Sequence, residues 1–326
     1  MIIITGATGF IGSNIVADLN ARGRTDLLLV DDLGTQGKWK NIAKRRFLDL
    51  VDYRSLDQLL PKLERADAVF HMGANSSTTS TDGDEILHVN LHATMAWWRW
   101  CTLHGTPFIY ASSAATYGDG AQGFADNQNP DALDKLSPLN LYGWSKHQFD
   151  KWAVERAAEG KAPPQWAGLK FFNVYGPNEY HKGDMKSLVA KNTALVARGE
   201  TIRLFKSHKE GYEDGGQLRD FVYVKDCCNV MMWLLDNPKA SGIFNLGTGQ
   251  ARSFVDLVQA IGKALAKPVS IEYIDMPESI RPNYQYFTEA RMDKLRQAGF
   301  SEKFHSLDEG VADYVQQHLA QPDPFR

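Results

Sequence analysis

The chain opens on an apolar run, Ile2-Ile3-Ile4, followed by glycines at three-residue spacing, a stretch of mixed polarity to about Arg22, and a second apolar run, Leu27 to Val30. Short apolar runs bounded by turn residues read as strands buried on both faces, and the stretch between them reads as a helix. The first 35 residues therefore predict a βαβ unit. Further runs at 68–70, 108–110 and 169–172 alternate with helical stretches, which predicts an α/β fold with a Rossmann-type, doubly wound parallel sheet.

After residue 173 the pattern loosens. A Gly- and charge-rich stretch from Lys206 to Leu218 predicts an exposed loop. Strands are expected at 220–224, 242–246 and 270–274, and a helix at 254–266. This organisation suggests a dinucleotide-binding domain over 1–173 plus about 219–248, with a smaller C-terminal α/β substrate-binding lobe over about 174–218 and 249–326. On the helix expected at 92–104, Trp97, Trp98 and Trp100 cannot all face one core. Burial against another subunit is the favoured reading, with packing inside the same chain as the alternative.

Composition narrows the function. At 326 residues, with 43% hydrophobic and 23% charged residues, the chain can bury a sizeable core. A net charge of −3 leaves no basic footprint, so no nucleic-acid partner is expected. Three cysteines, two of them adjacent, offer neither a disulfide framework nor a metal spacing, so no metal is expected. The opening run is too short for a signal segment and no run approaches the ~18 residues of a membrane span, so cytoplasmic residence is the expectation.

Gly6, Gly9 and Gly12 fall between a strand and a helix, where glycines permit close backbone approach and the helix N-terminus accepts a pyrophosphate. The second strand ends at Asp31-Asp32, nineteen residues after Gly12. That spacing suits the acid that holds a ribose 2′-hydroxyl and points to NAD. Lys38 and Lys40 follow in the same loop, where a cation would hold a 2′-phosphate and admit NADP. NADP through Lys38 is the favoured expectation. Asp49, read as following the third strand, is a candidate for the adenine amino group or a solvated loop acid.

Ser112 and Ser113 lie at the carboxyl end of an apolar strand, where open α/β sheets bind ligands. Tyr142 and Lys146, in Tyr-Gly-Trp-Ser-Lys, share one helical face. A nearby ammonium is expected to stabilise the phenolate and lower Tyr142 from its ordinary value of about 10, giving a base that can take a proton from an alcohol.

Together these residues resemble the extended short-chain dehydrogenase/reductase superfamily, in its nucleotide-sugar epimerase and dehydratase branch. The resemblance covers nearly the whole chain and includes Asn173-Val174-Tyr175-Gly176-Pro177, Arg219 to Val224, and Asn245-Leu246-Gly247-Thr248-Gly249. It implies Ser113, Tyr142 and Lys146 as the catalytic group and Arg219 as the grip on a substrate diphosphate. Within the branch, Ile11 to Ile15, Ser76 to Thr79, Ala111 to Gly118 and His181-Lys182-Gly183 resemble the ADP-L-glycero-D-manno-heptose 6-epimerase family. That resemblance implies a homo-oligomer, pentameric in the family, that inverts C6 of an ADP-heptose for the lipopolysaccharide inner core.

The same resemblance implies Lys182 as a second acid/base group opposite Tyr142. It places Phe10, Ile11, Met72, Gly73, Ala74, Asn75, Ser76, Asn90, Val174 and Lys182 near the cofactor. Ser113, Asn173, Asp184, Lys191, Phe205, Lys206, Ser207, His208, Arg219 and Tyr284 fall around the substrate. Met72, Asn75 and Asp32 depart from the Glu, Cys and Asn of well-known members, and the Lys206 to Leu218 loop is longer. A 4,6-dehydratase is disfavoured because Ser113 is followed by Ala114-Ala115 rather than an Asp-Glu pair. A UDP-hexose 4-epimerase and a non-catalytic dinucleotide sensor are the competing readings.

Overall fold

The computed structural model describes residues 1–278, 280–281 and 284–326. Strand β1 (Ile2–Thr5) is β-branched throughout and fully buried, and it pairs in parallel with β2 (Leu27–Val30) on one side and β4 (Ala68–His71) on the other. With β3 (Asp49–Val51), β5 (Phe108–Ser113), β6 (Trp166–Phe171) and β10 (Gly242–Leu246) it forms a seven-stranded parallel sheet in the order β10-β6-β5-β4-β1-β2-β3.

Alternate residues of each strand feed two cores. Ile2, Ile4, Phe70, Ile109 and Leu169 pack against Ile15, Val16 and Leu19 of the glycine helix (Phe10–Ala21), with Cys227, Met231 and Leu234 of helix Val224–Asp236. Ile3, Val69, Phe108, Tyr110 and Ile243 face the opposite layer. That layer is built by helix Ala93–His104 and the tyrosine helix, Leu141–Ala158.

The three tryptophans pack inside this chain, so the expected subunit contact is corrected. Trp97 and Trp98 are each 1% exposed and Trp100 is 6% exposed. Trp98 meets Phe108, Phe149, Trp152 and Trp166 edge-on, and its Nε1 donates to the Lys161 carbonyl at 3.0 Å. Helix Ala93–His104 packs both on the sheet and against the tyrosine helix beside it, so aromatic surface is needed on more than one side.

Two smaller sheets are built on β7 (Asn173–Tyr175), β8 (Ile202–Phe205), β9 (Leu218–Tyr223), β11 (Ala251–Ser253) and β12 (Ile271–Ile274), so β9, expected with the dinucleotide-binding domain, pairs outside the main sheet. Strand β9 lies between β7 and β11, and β12 runs parallel to β8. Helices Leu188–Arg198, Phe254–Leu265 and Leu307–Tyr314 cover them around Val189, Val196, Leu257, Ile261 and Val311. Half of the segment 206–217 is exposed, as expected of a loop, but Gly215 and Gln217 are buried, with Gln217 Nε2 donating to the Phe205 and Lys206 carbonyls at 3.3 Å.

Two of the recognised motifs hold each other. Asp220 Oδ1 accepts from Thr248 N and Oγ1 at 2.7 Å, and Oδ2 accepts from Gly249 N and Ala290 N at 2.9 Å. Asp220 therefore staples the lobe sheet to the turn that leaves the main sheet. Among the described residues, no helix is long and apolar enough to cross a membrane.

Candidate active site

A cavity of about 600 Å³ lies along the carboxyl edge of the main sheet. Its floor at one end is the turn between β1 and the glycine helix, where Gly6 has φ +63° and a Cβ would come within 2.6 Å of Gly73 N. A Cβ on Gly12 would lie 2.1 Å from the Gly6 carbonyl oxygen. Only glycine fits at either position, and the helix that starts between them, at Phe10, offers free N–H groups to a pyrophosphate.

Asp31 Oδ2 accepts from Thr8 N at 2.8 Å and Thr8 Oγ1 at 2.7 Å, while Oδ1 accepts from Asp32 N at 2.8 Å. Asp31 thus anchors the glycine turn, and Asp32 is the partly exposed carboxylate. The Lys38 ammonium reaches both, 3.0 Å from Asp31 Oδ1 and in a close ion pair with Asp32. Burial works against the Lys38 charge, but the two carboxylates outweigh it and raise its pKa.

Asp49 is corrected. It begins β3, is exposed, and accepts from its neighbour Leu50 N at 2.8 Å. Asp49 is the first residue of β3 rather than following it, so it sits at the amino end of the strand, away from the cleft at the carboxyl edge. Tyr53 and Leu56, just past the carboxyl end of β3, line the cleft instead.

Met72, Gly73, Ala74, Asn75 and Ser76 continue the wall beyond β4. Asn90 does not line it. Buried behind, Asn90 Oδ1 accepts from Asn75 N at 2.8 Å and Nδ2 donates to Asn75 O and Ser145 Oγ at 3.0 Å, so it reaches the cleft only through those residues. His71, Thr5 and Trp97 also face the cavity. His71 sits between Thr5 Oγ1 at 2.8 Å and Thr94 Oγ1 at 2.9 Å, and burial pushes it down to about 3. Its place at the end of β4 was the available sequence signal, but a lone histidine gave no reason to single it out.

Ser113, Tyr142 and Lys146 share the far end of the cavity. Asn140 Oδ1 caps the tyrosine helix through Gly143 N at 2.8 Å. A Cβ on Gly143 would stand 2.7 Å from Ala115 O, so the helix start presses directly on the turn after Ser113. Burial raises Tyr142 above its ordinary value, with the Ser113 hydroxyl opposing and Asp150 adding to the rise. The expected lowering by Lys146 is therefore corrected: desolvation dominates. Lys146 itself is pushed down to about 8 by burial, against the pull of Asp150.

Phe171, Phe172, Asn173, Val174, His181, Lys182 and Met185 close the other wall. Lys182 Nζ stands 5.5 Å from the Phe10 ring centroid, and burial lowers its pKa against the pull of Glu179. Glu179, buried beneath, accepts from Ser187 N and Oγ at 2.6 Å and Gly176 N at 3.3 Å. Asn41 Nδ2 donates to Thr8 O at 2.8 Å and Asn178 O at 3.1 Å, and Asn14 Nδ2 donates to Pro177 O at 2.9 Å. The Lys182 segment is thereby tied to the glycine helix.

Asn173, Val174 and Met185 also border a second cavity of about 200 Å³, lined further by Ser187, Phe221 and Phe254. The Arg219 guanidinium stacks 5.7 Å from Phe254 and 5.2 Å from Tyr284, and Phe205 meets Tyr284 edge-on. Lys206, Ser207 and His208 follow Phe205, with His208 N donating to Tyr286 OH at 2.9 Å. These residues lie beyond the first cavity. Asp184 and Lys191 are exposed, and Lys191 Nζ donates to the Asp184 carbonyl at 2.6 Å, so neither reaches either cavity. Among the described residues, no group of acids, histidines and cysteines is arranged to hold a metal ion.

A cleft with a backbone cradle at one end and a serine, a tyrosine and a lysine at the other suits a nicotinamide dinucleotide working on an alcohol carbon. The chain belongs to the NAD dependent epimerase/dehydratase family, whose model matches residues 2–247. It is 50% identical over 328 residues to ADP-L-glycero-D-manno-heptose-6-epimerase of Nitratidesulfovibrio vulgaris strain DP4, with 100% of both chains covered. Identity to the Fusobacterium nucleatum subsp. nucleatum protein of the same name is 49% over 334 residues, again with 100% of both chains covered.

Among solved structures, the Helicobacter pylori ADP-L-glycero-D-manno-heptose-6-epimerase superposes with a TM-score of 0.77 at 27% identity, covering 97% of this chain and 95% of that one. Thermus thermophilus UDP-glucose 4-epimerase in complex with NAD gives a TM-score of 0.74 at 27% identity, with 97% of each chain covered.

Proposed function

We propose that the protein is an isomerase that inverts C6 of the heptose in ADP-D-glycero-D-manno-heptose to give the ADP-L-glycero-D-manno epimer. The observation that carries this reading is that Tyr142 and Lys182, two side chains able to exchange a proton, line one cleft, in a chain half identical to relatives of that name. The turn at Gly6, Gly9 and Gly12 would hold a nicotinamide dinucleotide, which would supply reversible hydride chemistry at C6.

Tyr142 and Lys182 exchange the proton of the C6 oxygen, one on each side of the sugar carbon. Burial raises the phenol and lowers the ammonium. Each change moves its group toward the neutral form, so one is a ready acid and the other a ready base. Ser113 holds the same oxygen beside Tyr142. Lys146, carrying charge below its lowered pKa, steadies the phenolate. Arg219 and the residues about Tyr284 hold the ADP portion, with Asn173 between the two cavities.

The cofactor reading that Lys38 and Asp32 support is NAD, in place of the NADP expected from Lys38 alone. A ribose 2′-hydroxyl can donate to Asp32 while the ion pair stays intact. A 2′-phosphate must displace Asp32 from Lys38 and then sit beside a carboxylate. The reading includes a cytoplasmic homo-oligomer, checked by fractionation and sedimentation. The central test is incubation with ADP-D-glycero-D-manno-heptose in heavy water. C6 inverts without taking up deuterium if hydride is returned within the site, and substantial label at C6 overturns the mechanism.

A further inference from the structure

Asp150 and Lys170 form an ion pair at 2.7 Å with side-chain exposures of 0% and 1%. Neither lines the cleft, and the reaction as derived uses neither. Asp150 lies on the tyrosine helix, eight residues after Tyr142 and four after Lys146, so the three share one face. Its Oδ1 accepts from Tyr110 OH at 2.9 Å, and its Oδ2 accepts from Ser112 Oγ at 2.6 Å and Lys170 Nζ at 2.7 Å. Lys170 also donates to Thr116 Oγ1 at 2.6 Å and stands 5.0 Å from the Tyr117 ring centroid.

The partners come from three elements that meet at the reacting centre. Tyr110 and Ser112 belong to β5, whose last residue is Ser113, and Lys170 lies directly opposite Ser112 on β6. A buried ion pair is weak evidence of stabilisation, because apolar side chains of similar volume often fill such a site as well or better. The location of this pair, one turn beyond Lys146 and behind the serine strand, gives it another use.

We propose that Asp150 and Lys170 are a positioning pair for Ser113, Tyr142 and Lys146. Asp150 sets the electrostatic potential under the tyrosine helix, Lys170 balances it, and both lock the end of β5 against that helix. The proposal rests on the reading of Tyr142 as the acid/base group. The other titratable or charged groups around the pair are Tyr110 on β5, Tyr117 in the turn after it, His147 on the tyrosine helix, and, farther out, Asp126 and Lys294. Asp126, Lys294 and His147 all feel the Lys170 charge.

The Asp150 carboxylate favours the protonated forms of both Tyr142 and Lys146. Asp150→Asn leaves the Lys170 cation unopposed and favours phenolate. Lys170→Met leaves the anion unopposed and disfavours it. A unit charge about 12 Å away along the helix, at an effective dielectric of about 20, is worth about one pH unit, a tenfold change in the ionised fraction.

The test is the pH profile of kcat/KM for the NAD-loaded enzyme and its Asp150→Asn, Lys170→Met and doubly substituted forms. The alkaline limb, set by Tyr142 as the group that must stay protonated to act as an acid, is expected about one unit lower in the first, about one unit higher in the second, and near its original place in the double variant. A uniform loss of kcat with the limb unmoved, or a shift of both single variants in the same direction, overturns the proposal. Should Lys170→Met not fold, Lys170→Arg must keep the original limb while Asp150→Asn still lowers it.

A second readout needs no substrate. In protein labelled with carbon-13 at the lysine ε-carbon, with the Lys146 signal identified through Lys146→Ala, the Lys146 titration midpoint must fall in Asp150→Asn. An unmoved midpoint overturns the proposal. Because this titration is independent of turnover, failure of the epimerase reading and failure of the pair are separate results.

Discussion

The Lys38 ammonium is shared between Asp31, at 3.0 Å, and Asp32, while Asp31 is already committed to Thr8 of the glycine turn. Of the two acids, Asp32 alone has a carboxylate available to a ribose. Replacing it with asparagine keeps a hydrogen-bonding group, releases Lys38 and removes the repulsion felt by a 2′-phosphate. Asp32→Asn is expected to shift the ratio of NADP to NAD affinity about tenfold toward NADP, as a change of one charge partner near a phosphate implies. Calorimetric titration with each dinucleotide measures it, and an unchanged ratio removes Asp32 from cofactor selection.

Tyr142→Phe and Lys182→Met each remove one proton carrier. Each is expected to lower kcat for epimerisation by about 10²- to 10⁴-fold, the usual size of a general acid/base contribution. Dinucleotide affinity should stay within about twofold in Tyr142→Phe, because the phenol acts on the sugar oxygen. Initial rates measured from each epimer separately test this. Normal turnover in Lys182→Met would eliminate the second proton carrier.

The glycine cradle separates packing from binding. A methyl on Gly12 meets the Gly6 carbonyl at 2.1 Å, whereas one on Gly9 meets it at 3.1 Å and is otherwise open. Gly12→Ala is expected to lose about 1–3 kcal/mol of stability through overpacking. Gly9→Ala should leave the melting temperature nearly intact and weaken the dinucleotide, since the added methyl faces the cleft. Thermal melts with and without NAD distinguish the two, and equal destabilisation contradicts the geometry.

His71 makes stability pH-dependent. Burial holds it at about 3 in the folded chain, below its ordinary value of about 6.5. Protons therefore bind the unfolded chain first, and the contribution of neutral His71 is complete above pH 6.5 and lost as the pH falls toward 3. The loss runs at about 1.4 kcal/mol per pH unit. His71→Gln still has amide atoms for Thr5 and Thr94 but cannot titrate. Urea denaturation between pH 8 and 4.5 should show the parent losing stability relative to the variant below pH 6.5, and parallel curves refute this.

The main sheet was legible because a fully buried parallel strand writes itself as a short apolar run, as Ile2–Thr5 and Leu27–Val30 do. The glycines were legible for a similar reason: close backbone approach restricts residue type. Asp49 was misplaced because β3 is short and exposed, so its polarity looks like a loop. The tryptophans misled because the helix carrying them is covered on several sides, which three apolar side chains in four positions cannot announce.

The environment of Tyr142 was the deeper miss. Spacing reported the Lys146 charge but not the burial, and burial decides the direction. Lys182 and the residues around Arg219 became readable only through resemblance. Their neighbours in space, Phe10 and Tyr284, are far away in sequence. The Asp150–Lys170 pair had no sequence signature, because two ordinary charges twenty residues apart reveal nothing of the dry layer in which they meet.

The amide links from Asn14, Asn41 and Asn178 to Pro177, Thr8 and Ser13 carry no net charge. Ions in solution screen charged partners strongly and neutral buried amides hardly at all. Added salt should therefore weaken capture of an anionic sugar nucleotide while leaving the span from Lys182 to Phe10 in register. Affinity and architecture in this molecule answer to different properties of the solvent.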